Sequence, residues 1–273
     1  MVFASPVLEE FVSGIFYDQQ SFYLAPDKLL SDYALVRFER ELHLFRKFCK
    51  SGRVLDVGCS TGAFLFQLQK RFPGEYAVLG TDVAGKPLDH AESQGIPVNR
   101  KPFLDWPSRP NGFDAICFWA VLEHLADPQR FLMKASELLK PGGYCFILVP
   151  NLKSLAIRLL GPRYRYVMPD HLNYFDARTL AKLVLQSGTF EIVAAGTSHF
   201  NPAVIWADWR SGSSARVQDE DRARLLRKTT RLKQSKILWP IRLAYQATES
   251  ALAAAGLADN LWLVARKISG NSY

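Results

Sequence analysis

The chain has 273 residues, of which 48% are apolar, and it carries a formal net charge of +8. This composition is typical of a globular protein with a substantial core and excludes a disordered or fibrous chain. The first twelve residues contain two acids and no basic group, and no apolar run is long enough to cross a bilayer. We therefore expect neither a signal peptide nor a membrane span.

The four cysteines, Cys49, Cys59, Cys117 and Cys145, are scattered along the chain. Two of them, Cys117 and Cys145, lie inside apolar runs, as small buried residues do. Because no pair has CxxC spacing, the sequence predicts neither a zinc site nor a disulfide framework. A reducing cytoplasm is the expected location.

The first half of the chain alternates helical and extended patterns. Residues 32–50 predict an amphipathic helix, because apolar side chains recur every three or four positions. Beyond it, short apolar runs predict strands, and longer periodic runs that stop at glycine or proline predict helices. In order, these are a strand at 53–57, a helix at 64–72, a strand at 76–83, a helix at 86–94 and a short third strand at 96–100.

The same alternation continues through the second half. Strands that are apolar throughout and alternate with helices indicate a parallel sheet covered on both faces. The predicted elements are a fourth strand at 113–125, a helix at 127–140, a turn at 141–143, a fifth strand at 144–150, a helix at 179–188, a sixth strand at 190–200 and a last strand at 260–267.

About sixty residues between the sixth and last strands break the alternation. Residues 216–236 hold eight Lys or Arg against three acids, and 237–257 follow as an amphipathic helix. Three interpretations stay open. The segment is a pair of solvated helices that covers a site or forms a dimer, a lid on an anionic membrane surface that admits a lipid-linked substrate, or a nucleic-acid contact. Nucleic acid is the least favoured, because no recognised module accompanies the basic run.

The most informative stretch is VLDVGCSTGAFL, residues 54–65, in which a strand ends in Asp56 and a turn contains Gly58 and Gly62. A parallel strand, a glycine turn and a helix present backbone N–H groups at the carboxyl end of the strand. Asp82 follows Gly62 by twenty residues and ends the next strand, where an acid can accept both hydroxyls of a ribose. A tight turn and a helix cap would explain each piece alone, but the combination predicts a nucleoside site.

The residues of the turn distinguish two classes of cofactor. A dinucleotide site has the pattern G-x-G-x-x-G around a pyrophosphate. Here the middle glycine is replaced by Ser60 and the last by Ala63, and Asp56 would repel a phosphate. S-adenosylmethionine carries a sulfonium, an amino group and a ribose, and no phosphate. We therefore predict S-adenosylmethionine and keep a dinucleotide oxidoreductase as the disfavoured alternative.

Three segments carry a family resemblance. They are VLDVGCSTGAFL, GTDV at 80–83, and FDAICFWAVLEHLADPQRFLMKASELLKPGGYCFILVPN at 113–151. Together they resemble the class I S-adenosylmethionine-dependent methyltransferases, in particular the branch that contains the ubiquinone-biosynthesis O-methyltransferases and bacterial relatives. The segment 171–193 fits that branch as well. The resemblance covers about 30 to 199 and the final strand.

The resemblance implies a Rossmann-like, doubly wound α/β fold. Its sheet would have seven strands, with the last strand antiparallel between the fifth and sixth. The implied organisation is an N-terminal helical segment at 1–50, a methyltransferase core at 51–199 and 259–268, and a helical insertion at 200–258.

The resemblance also implies which residues bind the cofactor. The turn would hold its methionine part, Asp82 its ribose, and the end of the fourth strand would lie against it. Many relatives have an acid near the adenine amino group, whereas here that place holds Pro102 and Asp105 is displaced, so a main-chain group or Asp105 would take that role. The assigned residues are Asp56, Gly58, Cys59, Gly62, Asp82, Val83, Phe103, Leu104, Trp119 and Ala120.

Methyl transfer from a sulfonium is an in-line displacement, so the protein mainly aligns donor and acceptor. A base is needed where the nucleophile must lose a proton, and His124 and His171 are the candidates. The alternative for His124 is a structural role with Glu123 in the turn, and for His171 a helix cap. Asn151, after the fifth strand, is a further polar candidate.

The loop 161–171 carries arginines and tyrosines that would either grip an anionic or aromatic acceptor or merely anchor the loop. No metal site is expected. The predicted function is methyl transfer to a small or lipid-linked acceptor, more readily at oxygen. The alternatives are a cofactor-binding protein without catalysis, and a C- or N-methyltransferase of natural-product or cell-surface glycan biosynthesis. The sequence decides neither the acceptor nor the oligomeric state.

Overall fold

The computed structural model describes residues 2–3, 15–19, 21–34, 36–108, 112–211, 227 and 239–268. Its strands, in chain order, are β1 Val2–Phe3, β2 Gly52–Val57, β3 Tyr76–Thr81, β4 Phe113–Trp119, β5 Leu139–Pro150, β6 Asn173–Tyr174, β7 Phe190–Ser198 and β8 Asn260–Lys267.

The helices of the described residues are α1 Ile15–Gln19, α2 Pro26–Asp32, α3 Glu39–Phe48, α4 Ala63–Arg71, α5 Gly85–Ser93, α6 Pro128–Leu138, α7 Leu155–Leu160, α8 Ala177–Leu185, α9 Pro202–Ser211 and α10 Trp239–Ala254. Short 3-10 turns lie at Ser21–Leu24, Phe103–Asp105, Leu122–His124 and Gly161–Arg163. None of the helices that the structure describes is both long and apolar enough to cross a membrane.

The main sheet has the order β3-β2-β4-β5-β8-β7. The first four of these strands are mutually parallel, and β8 lies between β5 and β7 and runs antiparallel to both. This confirms the Rossmann-like doubly wound fold and the place of the last strand. Strands β1 and β6 form a separate two-stranded ribbon.

The sheet has six strands in the described part of the chain rather than the predicted seven. The predicted third strand, 96–100, is reduced to one parallel bridge between Gly80 and Val98. Pro97 has no N–H with which to extend the ladder, although its carbonyl accepts a hydrogen bond from the Gly80 amide at 2.9 Å.

Element boundaries also differ from the sequence prediction, most of all at three places. The predicted helix 32–50 begins only at Glu39, because Phe38 has a left-handed φ of +59°. The fourth strand, predicted to reach 125, ends at Trp119, and Ala120 turns the chain with φ +58°. The turn predicted at 141–143 lies within β5, next to a register shift against β4.

The core lies on both faces of the sheet. Alternate side chains of β2 and β4 point to opposite faces: Leu55 and Ile116 pack with α6 and α8, while Val54 and Cys117 pack with α3 and α4. Each such aliphatic side chain contributes about 1.5–3 kcal/mol when fully buried. The four cysteines are buried free thiols. The packed sheet thereby fixes the edge at which the parallel strands end and β8 begins.

Candidate active site

A cavity of about 1540 Å³ opens at this edge. Ligand pockets commonly measure about 300–1,000 Å³, so there is space for a nucleoside cofactor and a second ligand. Nine of the residues proposed from the sequence line it: Gly58, Asp82, Val83, Phe103, Leu104, Trp119, Ala120, His124 and His171. Asp56, Cys59 and Gly62 lie behind the lining.

Gly58 begins the turn after β2 and has φ +73°. A Cβ at this position would lie 2.5 Å from Cγ2 of Val121, so only glycine fits. Gly62 also has a left-handed φ, but it faces α5, where its Cβ would lie 3.0 Å from that of Ala91. Gly58 therefore shapes the cavity wall, and Gly62 permits close packing of a helix.

Cys59 turns its side chain away from the cavity. It is buried, and its Sγ occupies the space next to Gly80, where a Cβ would lie 2.6 Å away. Its backbone N–H donates to the Thr81 carbonyl at 3.0 Å. The thiol is therefore a packing group that leaves β3 no room for a larger residue than Gly80.

Asp56 lies beneath the turn and is 2% exposed. Its Oδ1 accepts no hydrogen bond from the described residues. Burial, and then the charge of Asp82, raise the pKa of this carboxyl well above its usual range. A cationic ligand above it would favour the charged form, whereas a pyrophosphate would not.

Asp82 combines the two roles considered for it. Its Oδ2 accepts a hydrogen bond from the Ser60 amide at 2.8 Å, and its Oδ1 accepts one from the Ala84 amide at 2.9 Å. The carboxylate thus tethers the glycine turn and the start of α5 while it lines the cavity. A carboxylate has about four acceptor positions, so it can still accept hydroxyl groups of a ribose.

Ser60 is a site residue that the sequence reasoning used only to exclude a dinucleotide. It has φ +49° although it is not glycine, and it lines the cavity. Its Oγ is buried and meets no partner in the described part of the chain. A strained residue with an unsatisfied hydroxyl is typical of a binding site. The available signal was its position, where other nucleotide turns have glycine.

The side of the cavity assigned to adenine is apolar. Phe103 is buried and stacks on Phe131, with ring centroids 5.6 Å apart. Leu104 and the exposed Asp105 follow it in the same 3-10 turn. Val83 lies at the rim, with 62% of its surface exposed. The structure thus provides a ring-sized apolar wall and one acid beside it.

The opposite side holds two histidines. His124 Nδ1 lies 2.9 Å from the carbonyl oxygen of Asp170 and 3.1 Å from the Tyr17 hydroxyl. Because a carbonyl can only accept, Nδ1 is the donor of this hydrogen bond, and Oδ2 of the Asp170 carboxylate lies 3.5 Å from the same nitrogen. The His171 ring lies edge-on to it, with centroids 4.6 Å apart.

Glu123 completes this cluster and is 1% exposed. Burial, and then the charge of Asp170, raise its pKa to about 8. One ligand atom each of Glu123, His124 and His171 lie within 4.8 Å of one another, so the cluster could hold a divalent cation. No metal site was expected from the sequence, because only the fold brings His171 to the other two residues.

Two other candidates have structural partners. Asn151 is buried, and its side-chain amide donates to the carbonyls of Gly256 at 3.0 Å and Ala258 at 2.8 Å. Arg165 pairs with the buried Asp208, with Nη2 and Oδ1 2.5 Å apart. Asn151 therefore holds the turn before β8, and Arg165 is engaged by Asp208 rather than available to an anionic acceptor.

A family model described as a methyltransferase domain matches residues 32–195. The ubiquinone biosynthesis O-methyltransferase of Caulobacter vibrioides is 33% identical over 151 residues, which make up 51% of this chain and 58% of the relative. The protein of the same name from Vibrio atlanticus is 29% identical over 167 residues, covering 55% and 68%. The chain thus matches little more than half the length of the first of these relatives.

Solved structures share the fold. A SAM-dependent methyltransferase from Archaeoglobus fulgidus has a TM-score of 0.55 at 18% identity, covering 93% of this chain and 99% of that one. Phosphoethanolamine N-methyltransferase 2 of Haemonchus contortus, solved with S-adenosyl-L-methionine, has a TM-score of 0.52 at 16% identity, covering 85% and 53%.

The residues at the cavity fit this cofactor. The turn is unsuited to a phosphate, because Oδ1 of Asp56, which accepts no hydrogen bond, lies beneath it. Asp82 and the apolar wall suit a ribose and an aromatic base. With the family match over more than half of its length, the chain belongs to the methyltransferase-domain family.

Proposed function

We propose that the protein methylates an oxygen atom of a small-molecule or lipid-linked acceptor. The observation that carries this proposal is the His124 ring at the end of β4. Its Nδ1 is anchored to the Asp170 carbonyl, which holds the ring at the cavity, where a histidine can serve as a general base. A neutral amine can attack the methyl group without a base. A hydroxyl group must lose its proton during the reaction. The O-methyltransferase names of the relatives support the same reaction.

The chain's own residues would divide the work. The glycine turn, Ser60 and Asp82 would hold the cofactor, which when bound supplies an electrophilic methyl group on its sulfonium. His124 would accept the hydroxyl proton, and His171 would limit how its ring rotates. Phe103 and Trp119 line the walls that keep water from the reacting groups.

Calorimetry with S-adenosylhomocysteine and with NAD tests the cofactor site. We expect heat with the first ligand, none with the second, and loss of binding in Asp82→Ala. Failure of S-adenosylhomocysteine to bind the wild-type protein would contradict the whole assignment. Binding without any methylated product would favour the alternative of a non-catalytic cofactor-binding protein.

Assays with methyl-labelled cofactor and matched phenols and anilines test the acceptor atom. We expect label in the phenols and a fall in kcat of about a hundredfold or more in His124→Gln, the range of general base catalysis. Affinity for S-adenosylhomocysteine should not change. Labelled anilines with unlabelled phenols would instead indicate an N-methyltransferase.

We also propose contact with an anionic membrane surface through 216–257. Of residues 216–236, only Arg227 is described, and it pairs with Asp27; the rest lie outside the described residues. Support comes from the preceding helix, α9, where Trp206 and Trp209 are 58% and 57% exposed with ring centroids 5.2 Å apart. Exposed tryptophans and a basic run are the two components of an interfacial anchor.

Flotation with phosphatidylglycerol vesicles at low salt tests this surface. The protein should float, and Trp206→Ala/Trp209→Ala should reduce the floating fraction. Leu185→Ala, which removes an exposed apolar side chain from α8, is the control. A wild-type protein that stays at the bottom does not bind such a surface.

A further inference from the structure

A second polar site lies at the far end of the cavity. We call it the distal recess, and it is lined by Tyr164, His199, Asn201 and Asp259. Asp259 directly precedes β8, and β5 lies between β8 and β4 in the sheet. Neighbouring strands lie about 4.8 Å apart, so Asp259 lies roughly 10 Å along the sheet from the end of β4. The distal recess is therefore separate from the cofactor turn and from His124.

Asp259 is held firmly by its own backbone. Its N–H donates to the His199 carbonyl, and its carbonyl accepts from the Asn151 amide, both at 2.8 Å. Oδ2 of its side chain accepts a hydrogen bond from the Asn201 amide at 3.3 Å. Since backbone and one carboxylate oxygen are fixed, the direction of the other oxygen is fixed as well.

That other oxygen, Oδ1, has no hydrogen bond of ordinary geometry in the part of the chain that the structure describes. The residue is only 2% exposed, and burial raises its pKa to about 6, while the Tyr164 hydroxyl beside the carboxylate acts in the opposite direction. A buried polar atom without a partner destabilises the folded protein. Such a cost is typical of atoms that serve a ligand.

The neighbouring groups already have partners. His199 Nε2 lies 2.7 Å from Oε1 of Glu41, and Arg40 pairs with Glu249. His199 also has a left-handed φ of +64°, which directs the amides that follow it toward carboxylates, Phe200 to Glu249 and Asn201 to Asp259. The distal recess is thus built around the carboxylate, and Oδ1 is left without a hydrogen bond of ordinary geometry.

The charge of the cavity indicates what Oδ1 can bind. In a chain of net charge +8, nine acidic and only six Lys or Arg side chains of the described residues line the cavity. A carboxylate oxygen accepts hydrogen bonds and repels anions. The matching ligand group is a hydroxyl or an amine.

We infer that Asp259 recognises a hydroxyl or amino group of the methyl acceptor, at a position remote from the atom that is methylated. This inference rests on the proposed function. Asp259 would therefore select the substrate by direct contact. The proton of the reacting oxygen would be removed at His124.

Three small aromatic probes of similar size test the inference: benzylamine, benzyl alcohol and benzoate. Their dissociation constants are measured by ligand-observed NMR on the protein saturated with S-adenosylhomocysteine. We expect the amine or the alcohol to bind the wild-type protein more tightly than benzoate. In Asp259→Asn, the preferred probe should bind about tenfold more weakly and benzoate more tightly, because the amide can donate where the carboxylate could not.

Glu191→Gln, an exposed acid of β7, is the matched control and should leave the order of the probes unchanged. Benzoate as the tightest wild-type probe, an unchanged order in Asp259→Asn, or no binding of any probe at millimolar concentration would each overturn the inference. The wild-type order is informative even where the variant does not fold. Calorimetry with S-adenosylhomocysteine separates the two proposals, because its failure in the wild-type protein concerns the methyltransferase assignment and not the distal recess.

Discussion

Glu123 is a buried acid whose pKa is raised from 4.5 to about 8, first by burial and then by the charge of Asp170. The folded protein therefore keeps a proton that the unfolded chain has already released. The stabilisation from this proton is complete below pH 4.5 and is lost as the pH rises to about 8. A carboxyl that titrates near neutrality next to His124 also suits a site that moves a proton.

Glu123→Gln removes the titration and keeps the shape. We expect the variant to gain stability over the wild type as the pH rises from about 5 to about 9, by about 2 kcal/mol or more, because the amide has no charge to bury. Thermal unfolding at several pH values measures this. Glu191→Gln, an exposed change, should show no such trend. A gain that is the same at every pH would contradict the raised pKa.

Individual site residues were predictable where the signal was local. The turn and Asp82 lie within thirty residues of one another, and their spacing indicated a nucleoside site. The meeting of His171 with His124 depends on the fold, and so does the placement of Asp259 beside Asn201. No pattern in the sequence marks such pairs, because tertiary packing alone brings them together.

The glycine turn is the element on which the cofactor site depends. Gly58 and Gly74 have nearly the same left-handed φ, +73° and +79°. A Cβ on Gly74 would meet nothing within 4 Å, whereas one on Gly58 would clash with Val121. The two positions therefore separate the cost of the backbone conformation from the cost of the clash.

Gly58→Ala should lower the free energy of unfolding by about 1–3 kcal/mol more than Gly74→Ala. Both variants place an alanine in the left-handed conformation, but only Gly58→Ala overpacks the turn. Urea denaturation gives the two values. Shortening the opposing side chain in Gly58→Ala/Val121→Ala should recover part of the difference. Equal costs for the two single variants would mean that the turn relaxes around the added methyl group.

At the level of elements, periodicity predicted the alternation of strands and helices and most boundaries. It failed where one residue overrides the pattern. Phe38 turns left-handed and delays α3, Ala120 ends β4 early, and Pro97 removes a donor from the short third strand. Propensity describes the average residue of a segment, so a single strained position escapes it.

At the scale of the whole molecule, α3 contacts both the residues that directly follow β7 and α10 beside the cavity. Arg40 of α3 pairs with Glu249 of α10, and Glu41 pairs with His199. The N-terminal helices also contact the cofactor turn, since the Tyr33 hydroxyl donates to the Thr61 carbonyl at 2.5 Å. These contacts join residues far apart in sequence, which is why the sequence predicted the segments but not how they close the site.

The Glu41–His199 pair makes this closure dependent on pH. Burial would raise the pKa of Glu41, but the His199 ring, with help from Arg37, lowers it to about 2 from 4.5. A lowered folded-state pKa stabilises the protein above pH 4.5, and this stabilisation is lost as the pH falls toward 2.

Glu41→Gln should therefore cost about 2–3 kcal/mol at neutral pH, and the cost should shrink as the pH falls below about 4, because the wild-type carboxylate then takes up a proton as well. Urea unfolding at pH values on both sides of this range measures it. Glu75→Gln is the matched control. The partially exposed ion pair between Glu75 and Arg46 should contribute about 0–1 kcal/mol to the free energy of unfolding. The pair does not hold the two segments together if both variants lose the same stability. The same conclusion follows if the stability lost in Glu41→Gln does not depend on pH. A pH-dependent cost confined to Glu41 would instead show that the strand end bearing His199, and with it the distal recess, is fixed by the N-terminal helix.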